Sequence, residues 1–409
     1  MRRRRRLLIA LLIAATAPAE LGLGQPAPSL GPRPVRVLFI GNSYTYVNNL
    51  PELVRGLAAG MTKPVMVETE QVTVGGATLR QLWEAGPALA AIRRTHWDYV
   101  VLQEQSTFGA TMVNGQGIVS DPASRFWPAA RLFDGAIRKG GAKTVLLDTW
   151  GGPGKAESFQ ALAHGYFTIG KELGAAVIPA GLAWQRALAE RADLPLYLAD
   201  GSHPAPAGSY LMALATVATL LDRIPDAPPL TVRGHQTGLD GKPADSLGTL
   251  AAIDSATLAL FRRTVIGLRR EIKEAGGYLA IARPALPTLP AMPAGRPIPT
   301  GGLIGAWSGT LQLFAVPGGQ AITLELRQQG GGYTGTAVVA AEPPIREDPL
   351  EVTIDGNEVR FSIPSPIDSG LRIQFRGVLV ADDRLEGRAS ITSEERGWDF
   401  SGVWTTTRR

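Results

Sequence analysis

Short runs rich in Val, Ile and Leu alternate with longer stretches of helical periodicity in the first half of the chain. Apolar runs of this length are typical of strands buried on both faces of a parallel sheet. The runs are residues 35–40, 65–74, 99–103, 144–148 and 175–179. The helical stretches are residues 51–60, 79–94, 128–139, 155–173 and 205–221. This alternation predicts a three-layer α/β domain over residues 35–222, with a doubly wound, mostly parallel, five-stranded sheet.

The pattern changes after residue 222. Residues 257–275 have a helical period with Leu258, Phe261 and Val265 on one face, so residues 223–282 are predicted to be a helical extension of the α/β domain. Residues 283–302 contain six prolines and no period. That composition is typical of an extended, semi-rigid linker.

An all-β pattern follows over residues 303–409. A motif of apolar, Gly and apolar residues at i, i+2 and i+4 places three residues on one face of a strand. The motif occurs at residues 307–311, 333–337, 375–379, 385–389 and 400–404. Turn signals rich in Gly or Asp separate about eight strands. The sequence therefore predicts a C-terminal domain that is an antiparallel β-barrel or β-sandwich.

The N-terminus has the three parts of a secretory signal peptide. A basic run over residues 2–6 precedes an apolar run over residues 7–15, and Ala17-Pro18-Ala19 supplies small residues for cleavage. We expect a signal peptide over residues 1–19, a linker over residues 20–34, and export to the periplasm or to the outside of the cell. The apolar run is too short for a stable membrane span, which needs about 20 residues.

Charge and composition exclude several classes of function. The 409 residues include 41 basic and 36 acidic ones, but the chain without residues 1–19 has 36 of each, so charge gives no reason to expect a nucleic-acid partner. The absence of cysteine excludes disulfides, thiol nucleophiles and thiolate metal sites. The four histidines are dispersed and form no His-Glu-x-x-His pattern, so no metal or other cofactor is predicted.

Two short motifs carry candidate chemistry. The first strand ends in Ile40-Gly41-Asn42-Ser43, and the carboxyl edge of a parallel sheet is where α/β domains place their ligands. Asp200-Gly201-Ser202-His203 precedes the last helix of the domain. A serine hydroxyl is a weak nucleophile until a base takes its proton, and the base needs an acid that orients it. Ser43, His203 and Asp200 are the candidates for these three roles.

These motifs resemble the conserved blocks of the SGNH (GDSL-like) hydrolases. Gly41-Asn42-Ser43 is similar to the first block, Asp200 and His203 to the last, and Gly76 to the glycine of the second. The resemblance covers about residues 35–222 and implies a flavodoxin-like layer that carries a serine hydrolase site. The C-terminal β domain resembles no family that we identify.

The third block departs from the family pattern, because glutamines stand where the family has an asparagine. The candidates are Gln103 and Gln105, which follow the third strand. A glutamine amide can donate the same hydrogen bond one methylene further out. The resemblance then implies that an oxyanion is held by the backbone N–H groups of Ser43 and Gly76 and by one of the two glutamine amides.

The residues and the resemblance together favour an exported serine esterase. Its expected substrate is a small acyl ester, acetyl in the first place, on a carbohydrate that is either a small molecule or a polysaccharide. A lipolytic esterase or thioesterase with the same three residues stays open as an alternative. So does a non-catalytic protein that binds polysaccharide through its β domain. The α/β-hydrolase fold is disfavoured because no Gly-x-Ser-x-Gly motif occurs.

One long polar segment and several aromatic residues bear on substrate binding. Residues 107–126 have the length and composition of a loop over an active site. Phe108, Trp127, Trp150 and Trp184 are predicted near strand ends, where an aromatic ring either stacks on a sugar or fills the core.

Overall fold

A computed structural model describes residues 33–409 except 286–287, 314–318 and 395–396. The predicted signal peptide and residues 20–32 of the predicted linker lie outside the described residues. No helix in the described part of the chain is long and apolar enough to cross a membrane. Pro34–Arg409 forms one compact unit.

Five parallel strands form the central sheet of the first half of the chain. They are β1 (Val35–Gly41), β2 (Val67–Thr73), β3 (Tyr99–Leu102), β6 (Lys143–Leu147) and β7 (Ala176–Ile178). The strand order is β2–β1–β3–β6–β7, which confirms the predicted doubly wound sheet. The order reverses between β1 and β3. The carboxyl ends of these two strands therefore flank the position at which sheets of this type open a ligand crevice.

Helices pack on both faces of this sheet, where two clusters of buried apolar side chains form its cores. The helices are α1 (Ser43–Tyr46), α2 (Leu50–Ala59), α3 (Leu79–Ala85), α4 (Pro87–Arg94), α5 (Phe126–Lys139), α6 (Ala156–Leu173), α7 (Ala180–Glu190) and α8 (Pro206–Leu220). The single helix predicted over residues 79–94 is wrong. Gly86 interrupts it with a φ of 92°, and Pro87 starts a new helix.

Helix α7 is missing from the sequence prediction. It begins directly after Pro179, and most of the residues on its buried face are small, with Trp184 as the only large one. A helix with so few large apolar side chains gives a weak periodic signal.

The segment after α8 differs from the predicted helical extension. An antiparallel hairpin, β8 (Thr231–Thr237) and β9 (Pro243–Ala252), precedes helix α9 (Ser255–Glu274). The helix matches the predicted period, whereas the hairpin is not predicted. The buried hydrophobic residues of the hairpin are Val232, Leu250 and Ala251, which are too few to produce a clear alternation.

The C-terminal strands close into an antiparallel barrel. They are β10 (Gly305–Gln312), β11 (Gln320–Gln329), β12 (Gly332–Val339), β13 (Ile345–Asp355), β14 (Glu358–Pro364), β15 (Arg372–Ala381), β16 (Arg384–Ser393) and β17 (Trp398–Arg408). Each strand pairs with the next, and β10 also pairs with β17. This last pairing closes the barrel, so the prediction of an all-β domain is confirmed and the sandwich alternative is excluded.

Trp404 on β17 explains two of the five glycines in the barrel motif. Its indole is buried and contacts Phe361 and Phe375 edge to face. A Cβ atom on Gly377 or Gly387 would overlap this ring. Gly377 and Gly387 therefore leave the space that the Trp404 ring occupies.

The barrel and the parallel sheet are joined by a short hairpin. Residues 107–126, predicted as a loop over the active site, contain β4 (Ala110–Val113) and β5 (Gln116–Gly117). Strand β4 pairs in parallel with the start of β17. The barrel strands and this hairpin thus form one continuous ten-stranded sheet.

Candidate active site

Ser43 lies at the carboxyl end of β1, on a turn that is held by the side chain of Asn42 and by a close approach at Gly41. Asn42 caps α1, because its Oδ1 accepts a hydrogen bond from the Tyr44 N–H at 3.1 Å. Its Nδ2 donates to the Ala77 carbonyl at 3.0 Å and ties this turn to the turn after β2. A Cβ atom on Gly41 would lie 2.5 Å from Gln103 Oε1, so only glycine fits where β1 and β3 end side by side.

His203 reaches Ser43 from a loop 160 residues further along the chain. Its Nε2 lies 2.9 Å from Ser43 Oγ. Its Nδ1 lies 2.6 Å from Asp200 Oδ2. The structure thus brings the three predicted residues into one hydrogen-bonded chain, with Ser43 buried and His203 partly exposed.

Asp200 also fixes the shape of its own loop. Its Oδ1 accepts hydrogen bonds from the backbone N–H groups of Ser202 at 2.8 Å and His203 at 2.9 Å. Desolvation raises the pKa of the Asp200 carboxyl, but the hydrogen bonds from His203 and Ser202 outweigh it and hold that pKa below its ordinary value. An ionised carboxylate at this position keeps a proton on the Nδ1 atom of His203 and leaves Nε2 free to accept one.

A stack of three aromatic rings packs against the loop that carries Asp200 and His203. Tyr44, Trp150 and Trp184 lie face to face, with ring centroids 4.5 Å and 4.1 Å apart. The Trp150 indole N–H donates to the Ser202 carbonyl at 3.0 Å, and the Tyr44 hydroxyl lies 2.7 Å from Ser202 Oγ. The stack therefore joins the turn of the serine to the loop of the histidine.

Burial decides, for three of the four aromatic residues singled out from the sequence, whether the ring is free to stack on a sugar or fills the core. Phe108, Trp150 and Trp184 are at most 1% exposed, so stacking on a sugar is excluded for them and the core-filling interpretation applies. Trp127 is partly buried, and its indole N–H donates to the Gly165 carbonyl at 2.9 Å.

Two backbone N–H groups are available beside Ser43. Gly76 lies in the turn after β2 with a φ of 68°, and the space where its Cβ would stand is open. The hydrogen bonds within the described part of the chain include none that the backbone N–H of Ser43 or Gly76 donates. Both groups can therefore donate to an oxygen atom of a bound ligand.

Gln103 has both ends of its side-chain amide engaged in the protein. Its Oε1 accepts from the Asn42 N–H and from the Thr45 hydroxyl, both at 2.9 Å. Its Nε2 donates to the Glu104 carbonyl. Because the Asn42 N–H is a donor, the oxygen of Gln103 must face Ser43's turn, and the amide nitrogen points away. These contacts make Gln103 a brace between β1 and β3.

Gln105 has the opposite orientation. Its Oε1 accepts from the backbone N–H groups of Thr107 at 2.7 Å and Gly109 at 3.0 Å. Its Nε2 donates to Ser106 Oγ at 3.1 Å. The Tyr44 hydroxyl, beside the nucleophile turn, also interacts with the Ser106 hydroxyl. The following loop thus holds the oxygen of Gln105, and its Nε2 lies beside Ser106, whose hydroxyl interacts with the Tyr44 side chain of the nucleophile turn.

Glu104, which sequence analysis does not select, lies buried between the two glutamines. Its Oε1 accepts from the backbone N–H groups of Gln105 at 2.6 Å and Leu79 at 3.1 Å. Burial raises the pKa of its carboxyl to about 7, against the smaller opposing effect of these hydrogen bonds and of Arg125. Nothing in its sequence context distinguishes Glu104 from a surface glutamate, because its burial depends on the docking of α3.

Tyr46 and the β8–β9 hairpin form another wall that sequence analysis does not predict. The Tyr46 hydroxyl donates to the Leu239 carbonyl at 3.0 Å and also interacts with the Ser43 side chain. The ring packs against Gly241 in the turn of the hairpin. In the described residues, no group of three or more His, Cys, Asp or Glu residues is arranged to hold a metal ion.

Comparison with known structures finds similar proteins, of which the three described here match between 46% and 61% of the chain. A protein from Slackia heliotrinireducens described as a candidate SGNH hydrolase is 26% identical, and 46% of this chain matches all of it with a TM-score of 0.38. The chain resembles the SGNH hydrolases. A DUF4886 family protein from Bacteroides uniformis is 16% identical, with 61% of this chain matching 98% of it at a TM-score of 0.39.

A third similar structure is a catalytic mutant of an acetylxylan esterase from Geobacillus stearothermophilus. It is 15% identical, and 46% of this chain matches 94% of it with a TM-score of 0.33. No family model matches the chain, and no curated protein matches it. We therefore base the function on the geometry of the site.

Proposed function

We propose that this protein is an exported serine esterase of the SGNH type that removes a small acyl group, acetyl in the first place, from a carbohydrate. The observation that carries the proposal is the hydrogen-bonded chain from Ser43 through His203 to Asp200. It lies at the switch point of the sheet, beside two backbone N–H groups that donate to no acceptor among the described residues.

The reaction follows from the positions of these atoms. Ser43 Oγ attacks the ester carbonyl while His203 Nε2 takes the hydroxyl proton, and Asp200 stabilises the resulting imidazolium. The backbone N–H groups of Ser43 and Gly76 and the amide of Gln105 donate to the oxyanion. His203 then passes its proton to the leaving alcohol, and an acyl group stays on Ser43. Water, activated by His203, attacks that ester and releases the acid.

Three features support the substrate class. The rings of Tyr44 and Tyr46 occupy space beside Ser43, which favours a short acyl group. The hydroxyls of Tyr44, Ser106 and Ser202 lie together next to the histidine, which favours a polar alcohol as the leaving group. The signal-peptide pattern of residues 1–19 supports export to a compartment where acylated polysaccharides occur.

Hydrolysis by the purified protein tests the proposal. The substrates are 4-nitrophenyl acetate, butyrate and octanoate, together with an acetylated xylooligosaccharide. We expect kcat/KM to be highest for the acetyl esters. Ser43→Ala should lower kcat by about 10⁴-fold or more, whereas Ser308→Ala on β10 should leave it unchanged.

Each other result would contradict a different part of the proposal. A preference for octanoate would support the lipolytic alternative. Binding of polysaccharide without hydrolysis of any acetyl ester would support the non-catalytic alternative. Full activity of Ser43→Ala would contradict the assignment of the nucleophile.

A further inference from the structure

The start of the last barrel strand is hydrogen-bonded to the segment that follows Gln105. In the parallel pairing of β17 with β4, Trp398 lies opposite Ala110 and Ser401 lies opposite Val113. The backbone N–H of Asn114 extends this pairing, because it donates to the Ser401 carbonyl at 3.1 Å. A strand of the barrel therefore takes part in the backbone hydrogen bonding of the segment after Gln105.

This pairing orders a segment that has little support of its own. Strand β5 comprises Gln116 and Gly117 alone, and an isolated two-stranded hairpin is marginally stable at best in water. The residues of β4 are only partly buried. The hydrogen bonds to β17 are thus a main source of order for residues 110–114.

Gly109 connects this order to the side chain of Gln105. Its N–H donates to Gln105 Oε1 at 3.0 Å, and it directly precedes β4. It has a φ of 125°, and a Cβ atom there would lie 3.1 Å from Arg125 Nη1 and 3.2 Å from the Gly397 carbonyl. Gly397 directly precedes β17. The residue that orients the Gln105 amide is therefore packed against the barrel.

The other side of Gln105 is held by the sheet domain. Glu104 Oε1 accepts the Gln105 backbone N–H at 2.6 Å and the Leu79 N–H at 3.1 Å. Gln105 thus lies between a fixed carboxyl on the α/β side and a loop that is fixed by the barrel. Removal of either support would leave the direction of the amide N–H groups free to vary.

We propose that β17 acts as a positioning element of the oxyanion hole, holding the β4–β5 hairpin so that the Gln105 amide donates to the substrate oxyanion. This proposal rests on the proposed esterase function. It assigns the barrel a role in turnover of any ester, including a small soluble one. A barrel that only binds glycan would affect turnover of polymeric substrates alone.

Gly109→Ala tests the proposal through kcat and KM for 4-nitrophenyl acetate. We expect kcat to fall by about 10²-fold, the effect of losing one oxyanion donor, while KM changes by less than twofold. The matched control is Gly277→Ala, in the turn after α9. Like Gly109, Gly277 lies outside the left-handed helical region, with a φ of 102°, but the space around its Cβ position is open. The control should show comparable backbone strain and wild-type kcat.

Met112→Pro provides a second variant in case Gly109→Ala does not fold. Met112 lies two residues before Asn114, whose N–H faces β17, so its own N–H faces the same strand. Proline removes that donor and leaves Gly109 and Gln105 unchanged. The same loss of kcat at constant KM is expected, and the barrel remains closed by the pairing of β10 with β17.

The outcomes separate the two proposals. A folded Gly109→Ala or Met112→Pro variant with the kcat of the Gly277→Ala control would overturn the role of β17 and leave the esterase function intact. A rise in KM at unchanged kcat, or a loss confined to polymeric substrates, would overturn it too. Wild-type protein without esterase activity would overturn the proposed function, and this inference with it.

Discussion

The parallel sheet and the barrel use their sequences in different ways. The sheet brings residues from distant parts of the chain to one edge, where Ser43 and His203 meet although 160 residues separate them. The barrel places its distinctive residues inside, as with Trp404 between Gly377 and Gly387. In the first region the distinctive polar residues lie at the ends of strands. In the second region the distinctive side chains fill the interior.

The largest effect on stability is expected when one buried tryptophan of each region is replaced by alanine. Trp404→Ala and Trp184→Ala should each lower the free energy of unfolding by about 3–5 kcal/mol. Only Trp184→Ala should also lower kcat, since Trp184 stacks on Trp150, which stacks on Tyr44. Denaturant unfolding and kcat measured well below the unfolding temperature check both parts. The contrast between the regions fails if Trp404→Ala lowers kcat as much as Trp184→Ala does.

The two glutamines sharpen the comparison within the sheet domain. Gln105→Ala should lower kcat by about 10²-fold with little change in KM, because it removes a donor to the oxyanion. Gln103→Ala should lower the free energy of unfolding by about 1–3 kcal/mol, because it leaves the buried Asn42 N–H without its acceptor. Steady-state kinetics and urea unfolding of both variants check the assignment, and the reverse pattern would identify Gln103 as the donor.

The last expected effect concerns Glu104 and the dependence of stability on pH. Burial raises the pKa of its carboxyl from 4.5 to about 7, so the folded protein binds this proton more tightly than the unfolded chain does. The contribution of Glu104 to the free energy of unfolding is therefore greatest below pH 4.5. It falls by about 3 kcal/mol as the pH rises to 7 and is constant above that.

Glu104→Gln provides the measurement, because its amide can still accept from the Gln105 and Leu79 N–H groups but does not titrate. Urea unfolding of both proteins at several pH values between 4 and 8 should give a difference that grows with pH in favour of the variant. Parallel stability curves for the two proteins would contradict the raised pKa.

The sequence predicts features that depend on local pattern. The strands of the sheet follow from apolar runs such as residues 99–103, and the positions of Ser43, Asp200 and His203 follow from motif spacing and from the edge at which parallel strands end. Their catalytic roles stay a prediction, although the structure places them within hydrogen-bonding distance.

Features that depend on packing between distant segments are not visible in the sequence. The proposal of Gln105 rather than Gln103 as the oxyanion donor rests on hydrogen bonds from Asn42 on one side and from Thr107 and Gly109 on the other. Strands β8 and β9 have few buried apolar residues, and β4 exists because β17 lies beside it. No local pattern in either segment records these partners.

The parallel pairing of β17 with β4 has a consequence for incomplete chains. Of the strands described, β17 is synthesised last, whereas β4 is made almost 290 residues earlier. A chain that stops before Trp398 leaves β10, β16 and β4 with unpaired backbone groups, and exposed strand edges of this kind promote aggregation. The same missing strand would leave the hairpin after Gln105 unsupported. A chain that ends prematurely is thus expected both to aggregate through its unpaired strand edges and to lose the strand that orders the segment after Gln105.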